Sequence, residues 1–199
     1  MSFRKEKKFR LSVLEFNQAK NLLLNKGATN LFKKRNVNSL YFDSTNLDMY
    51  QQSEEGLLPR KKVRIRWYNQ ERLFVLEKKY SSIEGRYKKT FPLEKKNCFE
   101  EILQYKIFDE LYGALSPSLF VSYERSYLKF NDIRITFDTK IVYKNMRSFV
   151  ENKIEDPERV MELKTGIYVS DDFIERFVPY PKSRFSKYSR GLFFTQGDF

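Results

Sequence analysis

Residues 60–68, "RKKVRIRWY", carry a cation at every second position: Arg60, Lys62, Arg64 and Arg66. The alternate positions are Lys61 and then the apolar Val63, Ile65 and Trp67. Alternation with period two belongs to a strand whose faces differ. Here one face is apolar and the other carries four positive charges. Such a face suits a ligand with many anionic oxygens. A second pattern, Glu-x-Lys, recurs at Glu6/Lys8, Glu77/Lys79 and Glu162/Lys164. On a strand this spacing points a carboxylate and an ammonium the same way. The carboxylate can then bind a divalent metal while the cation binds phosphate oxygens. Each pattern also has a plainer reading, as solvated charge on a strand face or as a cross-strand salt bridge that contributes little.

The charged faces repeat along the chain. Arg4, Glu6, Lys8 and Arg10 share one face; Arg86 aligns with Lys88, and Tyr123 with Arg125. Arg134, Thr136 and Asp138 stand opposite Ile133, Ile135 and Phe137, and Glu162 and Lys164 stand opposite Met161 and Leu163. With the apolar faces packed under helices, the charged faces form either a charged sheet surface or, in a closed barrel, a lumen. A lumen crowded with cations is repulsive unless an anion occupies it.

Several chemistries are excluded. The chain has no histidine, so a Ser-His-Asp triad, a histidine base and histidine metal ligands are impossible. A metal would rest on oxygen ligands, which favours Mg²⁺, Mn²⁺ or Ca²⁺ over zinc. The single cysteine, Cys98, allows no intrachain disulfide and fits a reducing compartment. The net charge of +12 calls for a polyanionic partner: nucleic acid, an anionic membrane or a phosphate-rich small molecule. Nucleic-acid binding predicts cations on an outer surface with stacking aromatics, whereas these alternate with core residues across many strands. No run has the length of a membrane span, and the charged N-terminus does not read as a signal peptide. The expectation is a cytoplasmic protein.

The elements that must position these residues can be sketched. With 199 residues, 41% of them hydrophobic, a single domain over 1–199 with a real core is expected. Strands are predicted at 3–11, 39–43, 60–68, 73–80, 86–91, 119–130, 133–143 and 158–165, with "NQER" turning the 60–80 hairpin. Ser12 and Glu15 form a capping-box signature for a helix ending at Gly27. Residues 44–58 read as a loop with a helical turn. A helix capped by Asn97 is predicted to about Tyr112, and residues 144–157 as a polar connection. Ser170 opens a short helix before Pro179, and a last helix starts near 183–186. "KNMR" and Lys5, Lys7, Lys33 and Lys34 read as solvated charge or a docking patch.

Taken in order, "RKEKKF", "LYFDS", "RKKVRIRWY", "LEKK", "VSYERSYL", "RITFD", "MELK" and "SRFSKY" resemble the VTC domain, the catalytic domain of the vacuolar transporter chaperone family within the triphosphate tunnel metalloenzymes. The resemblance implies an α+β, mainly antiparallel fold: an eight-stranded tunnel barrel with peripheral helices. It implies binding of ATP, triphosphate or polyphosphate with Mn²⁺ or Mg²⁺, and polyphosphate synthesis as the activity. Relatives hydrolyse tripolyphosphate or thiamine triphosphate, or cyclise ATP.

Carried over position by position, the resemblance assigns catalytic roles to Arg64, Arg66, Lys79, Arg125, Arg134 and Lys187. Substrate binding falls to Lys8, Arg60, Lys88, Tyr123, Lys164 and Ser186, and Lys62 joins them by its place on the cationic strand face rather than by the resemblance. Glu162 matches the metal-binding glutamate, and Glu6 is the second choice. Glu77 is as readily a partner of neighbouring arginines as a ligand, and Asp138 a turn residue or a support for Arg134. The chain shows neither the phosphate-sensing domain nor the membrane helices of the fungal proteins, so a membrane-protein partner would be a separate chain. A tripolyphosphatase and a polyphosphate-binding module that performs no chemistry remain as alternatives.

Overall fold

The alternation at 60–68 is a strand in the computed structural model, which describes residues 4–69, 71, 73–83, 85–93, 98–148 and 153–196. In chain order the elements are β1 (Arg4–Leu11), α1 (Val13–Asn25), β2 (Thr29–Asp43), α2 (Asp48–Glu55), β3 (Arg60–Tyr68), β4 (Val75–Ser81) and β5 (Arg86–Pro92). There follow α3 (Phe99–Leu103), β6 (Ile107–Asp109), β7 (Gly113–Phe130), β8 (Ile133–Asn145), β9 (Lys153–Glu155), β10 (Arg159–Gly166), α4 (Asp171–Phe177) and α5 (Lys187–Gln196). Eight strands follow one another in the order β1-β10-β8-β7-β2-β3-β4-β5, with short β6 on β7 and β9 on β8. Pairing is antiparallel from β1 to β10 to β8, and from β2 to β3 to β4 to β5. The expected fold class, mainly antiparallel with helices added, is the one found.

The chain divides into two compact units. The first comprises Met1–Arg35, Tyr123–Ile141 and Glu155–Phe185, and the second Asn36–Ser122, Val142–Ile154 and Ser186–Phe199. In the first unit Phe9, Leu11, Ile135, Phe137, Met161 and Leu163 form the apolar sheet face, covered by Ala19 and Leu23 of α1 and by Ile174 and Phe177 of α4. The capping box of α1 is present: Ser12 Oγ accepts from Glu15 N at 3.3 Å, and the Glu15 carboxylate accepts from Ser12 N at 2.8 Å. A cap of this kind contributes about 1 kcal/mol.

In the second unit Leu40, Phe42, Val63, Ile65 and Leu76 face Met49 of α2, Ile102 of α3 and Ile107 of β6. Trp67 packs beside them, its ring centroid 5.4 Å from Phe74, 5.8 Å from Phe99 and 5.9 Å from Phe120. Gly191 lets α5 sit close to the sheet. A Cβ there would lie 2.5 Å from a Leu119 methyl and 2.6 Å from the Tyr143 ring. In both units the apolar faces are those read from the sequence, so the charged faces lie opposite them.

Some elements differ from expectation. β2 starts at Thr29 rather than residue 39, because strand pairing extends through an exposed polar stretch with no alternation to betray it. The predicted 97–112 helix is one short helix, α3, followed by β6. Lys61 donates to the Asp109 carboxylate at 2.7 and 2.8 Å, a tertiary tie that local propensity cannot foresee. Asn97, the expected cap, lies outside the described residues, as do Gln70 and Arg72 of the "NQER" turn. Residues 48–55 form a full helix, and the 144–157 connection contains β9. Among the described residues no helix is long and apolar enough to cross a membrane.

Candidate functional site

In the first unit the charged face is built by register. Glu6 stands opposite Lys164 and Lys8 opposite Glu162; across β10, Lys164 faces Arg134 and Glu162 faces Thr136. The Lys164 ammonium bridges two carboxylates, 2.7 Å from Glu6 Oε1 and 2.9 Å from Glu162 Oε1. Lys8 Nζ donates to the Phe185 carbonyl at 2.8 Å. Arg125, on β7, holds Asp138 with two parallel bonds of 2.6 and 2.7 Å, and its guanidinium lies 5.2 Å from the Tyr123 ring centroid. Asp138 therefore orients Arg125. Arg134 Nε and Thr136 Oγ1 are buried and have no hydrogen-bond partner among the described residues.

Glu162 is 7% exposed. Burial alone would raise its carboxyl, but Lys164, Lys8 and Arg125 together outweigh it and hold the group far below the ordinary range. For Arg125, burial would favour the neutral form. The adjacent Asp138 charge reverses this and pushes the guanidinium well above its usual value.

The second unit carries the β3 cations. Arg64 stands opposite Tyr41 on β2 and Glu77 on β4, and Arg66 opposite Ser39. Glu77, 4% exposed, accepts from Arg64 Nε at 2.7 Å on Oε2, with Arg64 Nη2 in ion-pair contact at 2.6 Å, and accepts from Lys88 at 2.9 Å on Oε1. Arg66 Nη1 lies 3.8 Å from Oε2. Burial opposes ionisation of Glu77, yet Arg64, Arg66, Lys88 and Lys79 drive its carboxyl far below the ordinary range. One row further along, Lys62, Lys79 and Lys88 stand directly opposite one another across three strands. Like charges so placed repel, and a polyanion would relieve the repulsion. Arg60 donates to the Leu57 carbonyl at 3.1 Å.

Lys62 Nζ donates to Ser186 Oγ at 2.7 Å. Ser186 Oγ also accepts from Ser189 N at 3.3 Å, which caps α5, and Lys187 is the first helical residue. Sequence reasoning missed the residues that fix this arrangement. Tyr41 OH accepts from Arg64 Nη1 at 2.9 Å, and its ring stacks on Tyr188 at 4.8 Å. Tyr188 OH donates to buried Asp43, which also accepts from Met49 and Tyr50 backbone N–H groups at 3.0 Å. Burial and then the Asp43 charge push the Tyr188 phenol well above its usual value, so it stays a neutral donor. These residues lie inside "LYFDS" and "SRFSKY", but nothing in the spacing reveals that the two segments meet.

Arg147 of "KNMR" is no solvated charge. Its guanidinium donates to the carbonyls of Asp43 at 3.1 Å, Ser44 at 2.7 Å and Thr45 at 2.8 Å. Lys7 and Lys34 are likewise paired, with Asp171 and Glu124.

A divalent metal can be tested against these donors. Among the described residues no three His, Cys, Asp or Glu side chains come together as a metal site. Glu162 and Glu6 are hard oxygen donors sharing one ammonium, and Glu162 is ionised. One or two carboxylates completed by ligand phosphates is the usual arrangement for Mg²⁺, so this pair fits a metal that arrives with phosphate.

A family model, that of the VTC domain, matches residues 3–195. No curated protein matches the sequence. Among solved structures, a candidate adenylate cyclase from Bacillus halodurans has a TM-score of 0.58 at 13% identity, over 93% of this chain and 94% of that one. A conserved hypothetical protein from Pyrococcus furiosus gives 0.55 at 14%, over 94% and 99%. A candidate adenylyl cyclase from Hippeastrum, described as having a dominant triphosphatase activity, gives 0.55 at 15%, over 97% of each chain. At these identities the likeness is one of fold.

Proposed function

The chain belongs to the VTC domain family, and from that premise we propose that it transfers phosphoryl groups on ATP, triphosphate or polyphosphate, with polyphosphate synthesis from ATP as its reaction. The observation that carries this reading is the Glu162 cluster: an ionised, nearly buried carboxylate paired with Lys164 at 2.9 Å and further stabilised by the charges of Lys8 and Arg125, with an Arg134 Nε on the same face that has no partner among the described residues. Glu162, with Glu6, would hold Mn²⁺ or Mg²⁺, which when bound supplies neutralisation of the phosphate charge.

The protein's own residues position and neutralise. Arg134 offers a guanidinium to phosphate oxygens, and Arg125, fixed by Asp138, keeps a permanent charge beside them. In the second unit Arg66, Lys62, Lys79 and Lys88 offer a row of cations, and Arg64 stays in place through Tyr41 and Glu77. Lys187 and the capped start of α5 add a cation and the positive end of a helix. An oxygen of the terminal phosphate of the growing chain attacks the γ-phosphorus of ATP. The bond to the β-phosphate oxygen breaks and ADP leaves. No protein nucleophile or histidine is required, because positioning and electrostatics carry such a transfer.

The second reading is a triphosphatase, with water as the attacker; the activity described for the Hippeastrum protein of like fold favours it. The test is incubation with ATP and Mn²⁺, with products resolved on a gel stained for polyphosphate and free phosphate assayed in parallel. Acid-labile polymer that disappears in Glu162→Ala supports the polymerase. Phosphate without polymer supports the hydrolase. Neither product, together with tight polyphosphate binding, leaves a receptor and overturns both enzymatic readings.

A further inference from the structure

We propose that the Lys164 ammonium is the resident cation of the Glu6/Glu162 pair and keeps divalent-metal affinity low until a phosphate polyanion is present. The inference rests on the function proposed above and deepens it by making metal loading depend on substrate.

Lys164 Nζ lies 2.7 Å from one carboxylate and 2.9 Å from the other, so a single ammonium already serves both. A divalent cation drawn to the same carboxylates meets this charge first. The local balance sharpens the conflict. Arg125 and Asp138 satisfy one another. In register on this face, Glu6 and Glu162 stand with Lys8, Lys164 and Arg134, so cations outnumber carboxylates among these five before any metal arrives. Repulsion at such distances is strong in a partly buried setting.

A triphosphate reverses that balance and gives the displaced ammonium new oxygen partners. The same face holds donor capacity in reserve for such a ligand. Thr136 Oγ1, in a fully buried residue directly opposite Glu162, and Arg134 Nε, opposite Lys164, lack hydrogen-bond partners among the described residues. Because binding couplings are reciprocal, metal and polyanion should each tighten the other by one common factor.

The test counts free Mn²⁺ by its paramagnetic resonance signal while metal is titrated into the purified chain with no phosphate present. Lys164→Met should bind Mn²⁺ about tenfold or more tightly than wild type, within the range of about 5–150-fold usual for coupled sites. Adding Glu162→Gln to that variant should remove the gain. Lys164→Gln should repeat the tightening, which guards against a local distortion peculiar to Met. Lys164→Arg keeps the charge and should stay within about twofold of wild type. Unchanged or weaker Mn²⁺ binding in both neutral variants overturns the inference. Failure of the proposed function reads differently: wild type with saturating Mn²⁺ would give no heat with inorganic tripolyphosphate, whatever the Mn²⁺ affinities of the variants.

Discussion

Glu162 and Glu77 are near twins by burial and charge, one in each unit. Both are less than a tenth exposed, and both are driven far below the ordinary carboxyl range by surrounding cations. They differ in what is left over. Glu77 has both oxygens engaged, Oε2 by two nitrogens of Arg64 and Oε1 by Lys88. Among the described residues Glu162 forms one ion pair, with Lys164 on Oε1. A carboxylate with all its valence used is a lock; one with valence to spare suits the metal-holding role proposed for Glu162. Burial and charge alone do not separate these roles; the count of partners on each oxygen does.

The contrast can be broken by experiment. Glu77→Ala leaves Arg64 buried without its counter-charge and should cost about 3–5 kcal/mol of stability, the usual penalty for breaking a buried pair. The shift in urea midpoint checks it, and a loss under about 1 kcal/mol would count against the lock. Glu162→Gln should lower turnover of ATP with Mn²⁺ by about 10²–10³-fold, the scale of losing one group that stabilises the transition state. Its urea midpoint should move far less than that of Glu77→Ala. If the two midpoints fall together, the roles are not distinct.

Smaller effects sharpen the second unit. Gly191→Ala drives a methyl into Leu119 and Tyr143. It should cost about 1–3 kcal/mol in thermal stability, as overpacking does. Arg66→Ala should weaken tripolyphosphate binding about tenfold, the loss of one charge-assisted hydrogen bond. Exposed Lys33→Ala should change it by less than about twofold. Equal losses in a calorimetric titration would remove Arg66 from the binding face.

The smallest effect is on acid stability. Both glutamates have folded-state values below their unfolded ones, so their contribution is full above the ordinary value of 4.5 and drains away as pH falls below it. Wild-type urea midpoints should therefore drop between about pH 4.5 and 3. Glu77→Gln and Glu162→Gln should each flatten that drop, and an unchanged slope in both would contradict the ionised state assigned here.

Much of the charged face was legible because strand periodicity is unforgiving: Met161 and Leu163 in the core dictate where Glu162 and Lys164 point. The same logic placed Arg64 and Arg66 opposite Val63 and Ile65. What stayed hidden depends on segments distant in sequence. Tyr188 and Asp43 are 145 residues apart and share a proton contact that no local pattern announces. Glu77 stood undecided between partner and ligand until its neighbours on β3 and β5 were seen. Thr29–Arg35 shows no alternation because that part of β2 is largely exposed, and pairing rather than pattern makes it a strand.

Trp67 is the only tryptophan of the chain, and it is packed among Phe74, Phe99 and Phe120 in the second unit. Its emission is thus an intrinsic optical label for that unit's aromatic core, while the first unit, without any tryptophan, contributes only tyrosine light. Melting curves followed by tryptophan fluorescence and by far-ultraviolet circular dichroism will coincide where the chain unfolds as one cooperative body and separate where it does not.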